Sequence, residues 1–263
     1  MRKCVFCGTE SRLTKEHVWS AGLLDRRQGK KKYSSRRVPD KFIGPNSLQI
    51  KDVCVVCNNE RLSKLDNYIC NLYDEYFSST VHPNDQIVFK YEYSLLSRWL
   101  LKTLYNNARY GKAEKSHIKV LKKYVNNILN SEFTTPEVQI FLQLIIPYKD
   151  NNGEVLKPIY MTAGPISVPG FHFKKVCSYT VCIDSFRFII VIRKNESEKS
   201  SGEIANVIPK LPATYNAIEL TKFTKQKIIE ASDIDARYAL LPAIIQDYGK
   251  WRRFLQHSKK AKQ

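Results

Sequence analysis

Two C-x2-C pairs constrain the fold of this chain more than any other feature of its sequence. The pairs are Cys4–Cys7 and Cys54–Cys57, in a chain of 263 residues that has seven cysteines. This spacing is typical of the knuckles that hold zinc through four thiolates in a closed tetrahedral site. We therefore predict a Zn²⁺ site with Cys4, Cys7, Cys54 and Cys57 as ligands. Because four protein ligands leave no open position, its predicted role is structural.

The other three cysteines stand apart in the sequence and are predicted to be core residues; they are Cys70, Cys177 and Cys182. An odd number of cysteines, with no export signal at the start of the chain, disfavours a disulfide framework. The sequence therefore predicts a reducing, intracellular location, which is the cytoplasm.

The charge balance predicts an acidic partner. The chain has 43 lysines and arginines against 25 aspartates and glutamates, a formal net charge of +18. Nucleic acid is the leading partner for such an excess. An anionic membrane surface is the alternative, but no apolar run approaches the roughly 20 residues of a membrane-spanning helix. No membrane association is therefore predicted.

The hydrophobic pattern predicts an α+β protein with a boundary at the turn-forming residues 82–85, which divides the chain into domains 1–80 and 81–263. The first domain is predicted to contain strands at 13–19 and 47–53 and a helix at 58–77. The second is predicted to be a mixed region of helices and antiparallel strands. Its helices are expected at 94–109, 118–128, 221–231 and 233–256, and its strands at 138–146, 176–183 and 186–193, the last two joined as a hairpin.

A carboxylate stands beside an imidazole between the two cysteine pairs, as Glu16-His17-Val18. The full order is a C-x2-C pair, the Glu-His-Val segment on a strand, a basic stretch, a second strand, and then C-x2-C-Asn-Asn opening a helix. This order resembles the HNH, or ββα-metal, endonuclease superfamily, in its zinc-containing members. The resemblance covers roughly residues 1–75, and the matching residues are Cys4, Cys7, Glu16, His17, Val18, Cys54, Cys57, Asn58 and Asn59.

The resemblance implies a zinc-stapled ββα-metal nuclease module that hydrolyses phosphodiester bonds in DNA with one catalytic Mg²⁺ or Mn²⁺. It implies that His17 is the general base that activates water, which suits a side chain with an unperturbed pKa of about 6.5. Glu16 and Asn58 would supply oxygen ligands to the hard cation. Asn46 would position the base, and Asn59 is an alternative ligand to Asn58. Asp66, further along the helix, is predicted to be structural.

The basic stretch between the strands is predicted to be a loop that contacts phosphates without reading sequence. Its basic residues are Arg26, Arg27, Lys30, Lys31, Lys32, Arg36 and Arg37. A solvated flexible loop is the alternative interpretation.

Two other functions stay open at this stage: a non-catalytic zinc-bearing nucleic-acid-binding protein, and a nuclease directed at RNA. Residues 81–263 are expected to position the substrate or to bind a protein partner. Family association implies a role in defence against foreign DNA, such as phage DNA.

Overall fold

The computed structural model of the chain is a mixed α+β structure with antiparallel sheets, as the sequence predicts. The structure describes residues 2–28, 36–38, 41–43, 48–111, 113–130, 137–149, 151, 153, 155–158, 161–166, 176–193 and 217–231. No helix among these residues is both long and apolar enough to cross a membrane.

The chain divides into two compact units that do not follow the sequence in order. Unit 1 comprises Met1–Ser79, Val88–Val138 and Leu220–Lys227, and unit 2 comprises the remaining segments, Thr80–Ile87, Gln139–Glu219 and Ile228–Gln263. The chain first passes from unit 1 to unit 2 after Ser79, which is next to the predicted domain boundary at 80. The helices that follow, however, group with unit 1 and not with the predicted second domain, because they pack on the helix that follows Cys57 or on one another.

Unit 1 begins with short antiparallel strand pairs. β1 (Arg2–Lys3) pairs with β2 (Glu10–Ser11), and the turn between them carries the first cysteine pair. β3 (Leu13–His17) pairs with β6 (Gln49–Cys54), with a register shift between Thr14 and Lys15. These two strands confirm the predicted ones, and β6 ends on the third cysteine of the cluster.

A long helical segment follows β6 directly, as predicted. Its α-helical part, α2 (Ser63–Leu72), is extended by π-helical turns at Cys57–Leu62 and Tyr73–Phe77. Leucine and isoleucine recur three or four residues apart, and Leu65 and Ile69 have no exposed surface. One face of the helix is therefore packed in the core of unit 1.

The stretch between β3 and β6 is not the simple loop that the sequence predicts. It begins with a helix, α1 (Ala21–Gln28), and also contains a strand pair, β4 (Arg36–Val38) with β5 (Lys41–Ile43). The helix was missed because its last residues, Asp-Arg-Arg-Gln, have no apolar periodicity, although Leu23 and Leu24 are buried. Burial of these two leucines supplies the stabilisation that the local sequence does not indicate.

Three further helices complete unit 1: α3 (Tyr93–Tyr110), α4 (Lys115–Lys122) and α5 (Val125–Leu129). The first matches the predicted helix at 94–109, and the other two replace the single helix predicted at 118–128. Eleven residues of α3 are buried, including the charged residue Lys102. An 18-residue helix with this much buried surface lies inside its unit and not on the surface.

The main sheet has five strands in the order β11-β12-β13-β8-β14. Their bounds are Met161–Pro165, Val176–Ile183, Phe186–Arg193, Val138–Leu144 and Ile218–Leu220. The predicted hairpin is confirmed: β12 and β13 pair over eight residues each, and Asp184 takes a left-handed backbone with φ of 49° in the turn between them. Phe188–Ile192 has no exposed side chain, so the centre of the sheet is covered on both faces.

Four short strands, in two two-stranded sheets, complete the described structure. β9 (Tyr148–Lys149) pairs with β10 (Val155–Leu156), and β7 (Gln86–Lys90) pairs with β15 (Gln226–Glu230). The helix predicted at 221–231 is wrong: this segment is a turn followed by β15, because pairing with β7 outweighs the local pattern. The helix predicted at 233–256 lies outside the described residues.

Candidate functional site

The four cysteines of the two C-x2-C pairs form one cluster. Their sulfur atoms all lie within 4.8 Å of one another, and none is in a disulfide. Three are buried, and Cys7 is exposed. Such a set of thiols could hold a metal ion such as zinc. It joins the turn after β1 to the junction between β6 and the helix, as the sequence predicts.

The backbone around the first pair is shaped for this cluster. Gly8 takes a left-handed conformation with φ of 74°, which lets its N–H donate to the Cys4 carbonyl at 2.9 Å. The N–H of Cys54 donates to Cys4 Sγ at 3.3 Å, and the N–H of Cys57 donates to Cys54 Sγ at 3.4 Å. These N–H groups stabilise negative charge on the sulfurs, which metal binding requires.

The thiols of the cluster differ in their acidity. Burial raises the pKa of Cys54 and of Cys57. At Cys7, burial acts in the same direction, but hydrogen bonds with Thr9 outweigh it and lower the pKa to about 6. A lowered pKa favours the thiolate form of Cys7, which is the form that binds a metal ion.

His17 lies at the end of β3, opposite Gln49 of β6. Its Nε2 lies 2.6 Å from Nε2 of Gln49, and its ring is half-buried. Burial lowers the pKa of His17, and the ammonium of Lys102 lowers it further, against the carboxylates of Asp66 and Asp25. The lowered pKa favours the neutral imidazole, which is the form that can accept a proton.

The Glu16 side chain points into unit 1 and not to solvent. It is 3% exposed, and its Oε1 lies 2.7 Å from Nζ of Lys102 and accepts a hydrogen bond from Asn106 at 3.3 Å. Burial raises the pKa of Glu16, and the nearby ammonium opposes this. The Glu16 carboxylate is thus already neutralised by a protein cation.

Lys102 is the centre of a buried ionic cluster. It has no exposed surface, and its Nζ also lies 2.6 Å from Oδ1 of Asp66 in α2. Although burial alone favours the neutral amine, the two carboxylates raise the pKa of Lys102 above its usual value. One ammonium therefore ties β3, α2 and α3 together.

The cluster continues through hydrogen bonds to uncharged groups. Ser20 Oγ donates to Asp66 Oδ1 and accepts from the indole N–H of Trp99 at 3.1 Å. Asn106 also donates to the His17 carbonyl at 3.2 Å, which fixes the backbone at the end of β3. Asp66 is therefore structural, as predicted.

A second, partly buried ion pair lies about two turns further along α3 from Lys102. Arg109 pairs with Asp52 of β6 and donates to the side-chain oxygen of Asn106. Its guanidinium also lies 4.5 Å from the centre of the Tyr105 ring. This pair connects β6 to the network around Glu16.

Sequence reasoning missed this network because its residues are far apart in the chain. Trp99 has no exposed surface and lies in the core. A signal was nevertheless present: Lys102, Asn106 and Arg109 follow Trp99 at spacings of three or four residues. A polar row on the same face as a core tryptophan indicates partners buried on the opposing elements.

Asn58 contacts β3, but not at Glu16. Its Nδ2 donates to Thr14 Oγ1 at 2.9 Å and to the Lys15 carbonyl at 3.1 Å. Among the described residues, no second group of three or more His, Cys, Asp or Glu side chains lies as close together as the cysteine cluster. Asn46, the predicted positioning residue, lies outside the described residues.

The predicted phosphate-binding loop is only partly described. Arg26 and Arg27 lie in α1, so the loop prediction is wrong for them. Arg26 pairs with Asp74 at 2.8 Å, and Arg27 is 5% exposed. Arg36 and Arg37 lie in β4, and Lys30, Lys31 and Lys32 lie outside the described residues.

Comparison of the chain with protein-family models, with curated proteins and with solved structures finds no match. The functional argument therefore rests on the residues and contacts described above.

Proposed function

We propose that this chain is an HNH-type endonuclease that hydrolyses phosphodiester bonds in DNA, with His17 as the general base. The observation that carries the proposal is a half-buried imidazole at the end of β3, in an antiparallel pair that leads directly into a helix, at a position where burial lowers the pKa of the ring. This order of strand, strand and helix is the one that the resemblance implies. A neutral imidazole can take a proton from water as the water attacks phosphorus.

The cysteine cluster supports the proposal by fixing this frame. We propose that the cluster binds Zn²⁺ with all four sulfurs and that the bound ion is structural and not catalytic. The cluster includes the end of β6 and the first residue of the helix, so a bound ion would hold the β3–β6 pair against the helix start.

The predicted Mg²⁺ or Mn²⁺ ligands do not fit the observed contacts equally well. Asn58 binds β3 through its amide nitrogen, which leaves its carbonyl oxygen as a donor atom. Glu16, by contrast, is buried against Lys102, a positive charge that would repel a cation at the same carboxylate. The divalent ion is therefore a condition of the nicking assay, and the role proposed for His17 does not depend on which residues hold it.

Nicking of supercoiled plasmid DNA in Mg²⁺ or Mn²⁺ tests the proposal. The parent chain is expected to nick, and His17→Ala is expected to lose nicking while its zinc content and circular dichroism stay unchanged. His82→Ala is the matched control, because His82 is exposed and plays no part in the proposed reaction. Digestion of RNA beside DNA decides between the two substrates.

One observation favours a second candidate, the non-catalytic zinc-bearing nucleic-acid-binding protein. The carboxylate of Glu16, beside His17, is buried in an ion pair with Lys102, as expected of a glutamate with a purely structural role. This alternative predicts salt-dependent binding of DNA with no cleavage in either metal.

A further inference from the structure

The most exposed large apolar side chain in the described part of the chain is Phe223, which is 84% exposed. It lies in the turn between β14 and β15, with sequence Thr221-Lys222-Phe223-Thr224-Lys225. A phenylalanine so fully in water loses the burial that usually stabilises it. The ring is therefore open to contact with a ligand.

The turn is held in place by one buried tyrosine. The Tyr91 hydroxyl donates to the Thr221 carbonyl at 3.1 Å, accepts from the Thr221 N–H at 3.0 Å and lies 2.6 Å from Thr224 Oγ1. The Tyr91 N–H donates to the Lys225 carbonyl at 2.9 Å. These contacts fix both ends of the turn, so the ring is presented on an ordered support and binding costs little conformational entropy.

The exposed ring is flanked by positive charge. Lys222 Nζ lies 5.3 Å from the ring centre, and Lys225 is exposed on the other side in sequence. Lys225 and Lys90 also line a cleft of about 360 Å³, together with the acidic residues Glu75 and Glu92. The turn therefore supplies one cation in contact with the ring, Lys222, and a second exposed cation two residues after it in sequence, Lys225.

We propose that this turn binds single-stranded DNA, with the Phe223 ring stacked on a base and Lys222 and Lys225 contacting the adjacent phosphates. An exposed aromatic ring between cations matches the two parts of a nucleotide, because every base has a π-face and every linkage carries a negative charge. The net charge of +18 is complementary to a polyanion. The inference rests on the proposed function for its partner, and the turn belongs to the same compact unit as His17.

Binding of a fluorescein-labelled thymidine oligonucleotide, followed by anisotropy without added Mg²⁺ or Mn²⁺, tests the inference. Phe223→Ala and Phe223→Leu are each expected to weaken binding about tenfold, because both remove the aromatic face. Phe223→Trp is expected to bind at least as tightly as the parent chain. Val88→Ala, which changes another exposed apolar side chain of unit 1, is expected to bind like the parent.

Several results would overturn the inference: a parent chain that does not bind the oligonucleotide, Phe223→Ala binding as tightly as the parent, or Phe223→Leu retaining full affinity. A Phe223→Ala variant that loses only its binding to vesicles of phosphatidylcholine and phosphatidylserine would instead assign the turn to a membrane. Equal thermal unfolding midpoints show that the variants fold. Since no cleavage is measured, binding without nicking contradicts the proposed function and leaves this inference standing.

Discussion

Lys102 determines the chemistry of the residues around it. Its ammonium has no contact with solvent, so its charge is balanced only by the carboxylates of Glu16 and Asp66. Such a buried pair contributes little net stability, but removing one partner leaves an uncompensated charge in a medium of low dielectric constant. The residue is therefore essential to the unit even though the ion pair itself is not a large source of stability.

Replacement of Lys102 by methionine is expected to lower the free energy of unfolding by about 3–5 kcal/mol, because the buried carboxylate of Glu16 and the partly buried carboxylate of Asp66 then lack a cation. Urea unfolding followed by circular dichroism measures this change. Lys119→Met is the matched control: Lys119 is exposed on α4, and its loss is expected to change the free energy by less than about 0.5 kcal/mol. Equal effects of the two substitutions would contradict the buried ionic cluster.

The acidity of His17 provides a second test at the level of single residues. Burial and Lys102 lower its pKa, so its imidazole is expected to titrate below the unperturbed value of about 6.5. The neutral form then contributes stability that is complete above about pH 6.5 and is lost as pH falls through the native pKa. Titration of the labelled histidine rings by NMR, assigned with His17→Ala, measures this pKa directly. A His17 pKa above 6.5 would show that the carboxylates of Asp66 and Asp25 dominate.

The elements that the sequence predicted are those with a strong local pattern. The two strands of the β3–β6 pair, the helix after Cys57 and the β12–β13 hairpin all follow from periodicity, cysteine spacing and turn residues. The cysteine cluster was predicted for the same reason, since its spacing alone identifies it. In contrast, α1 has its apolar residues at one end only, and its helical state depends on tertiary packing.

The errors and omissions have a common physical origin in contacts between distant segments. The segment predicted as a helix at 221–231 becomes β15 because β7, more than 130 residues earlier, offers a partner strand. Lys102 reaches Glu16 from 86 residues further along the chain, and no local pattern of charge reveals that pairing. Local patterns predict elements, but they do not predict which elements meet.

The position of the cysteine cluster between strands and helix predicts that the chain binds one metal ion through all four thiolates. The purified chain is expected to contain about one equivalent of zinc, and Cys54→Ala is expected to lose it, because each thiolate is one of four ligands. Elemental analysis by mass spectrometry measures the content. Cys177→Ala, at a cysteine outside the cluster, is the control and is expected to retain the metal. Equal zinc contents in the two variants would place the metal elsewhere.

For the whole molecule, the excess of positive charge predicts how nucleic acid binding responds to salt. Each phosphate that a lysine or arginine neutralises releases condensed counterions, so the logarithm of the binding constant falls linearly with the logarithm of salt concentration. For double-stranded DNA the slope is about −0.9 per phosphate contact. Anisotropy titrations over a range of KCl concentrations measure it. A constant affinity across that range would argue against a phosphate-binding surface on this chain of charge +18.

The central claim, that His17 activates water for phosphodiester hydrolysis, is tested most directly by the rate of plasmid nicking under enzyme excess. The account predicts that the parent chain converts supercoiled to open-circular DNA in Mg²⁺ or Mn²⁺. It also predicts that His17→Ala, folded and zinc-loaded, is slower by about 10²-fold or more, the usual contribution of a general base. A His17→Ala variant that nicks at the parental rate, or a parent chain that binds DNA and never cuts it, would contradict the account.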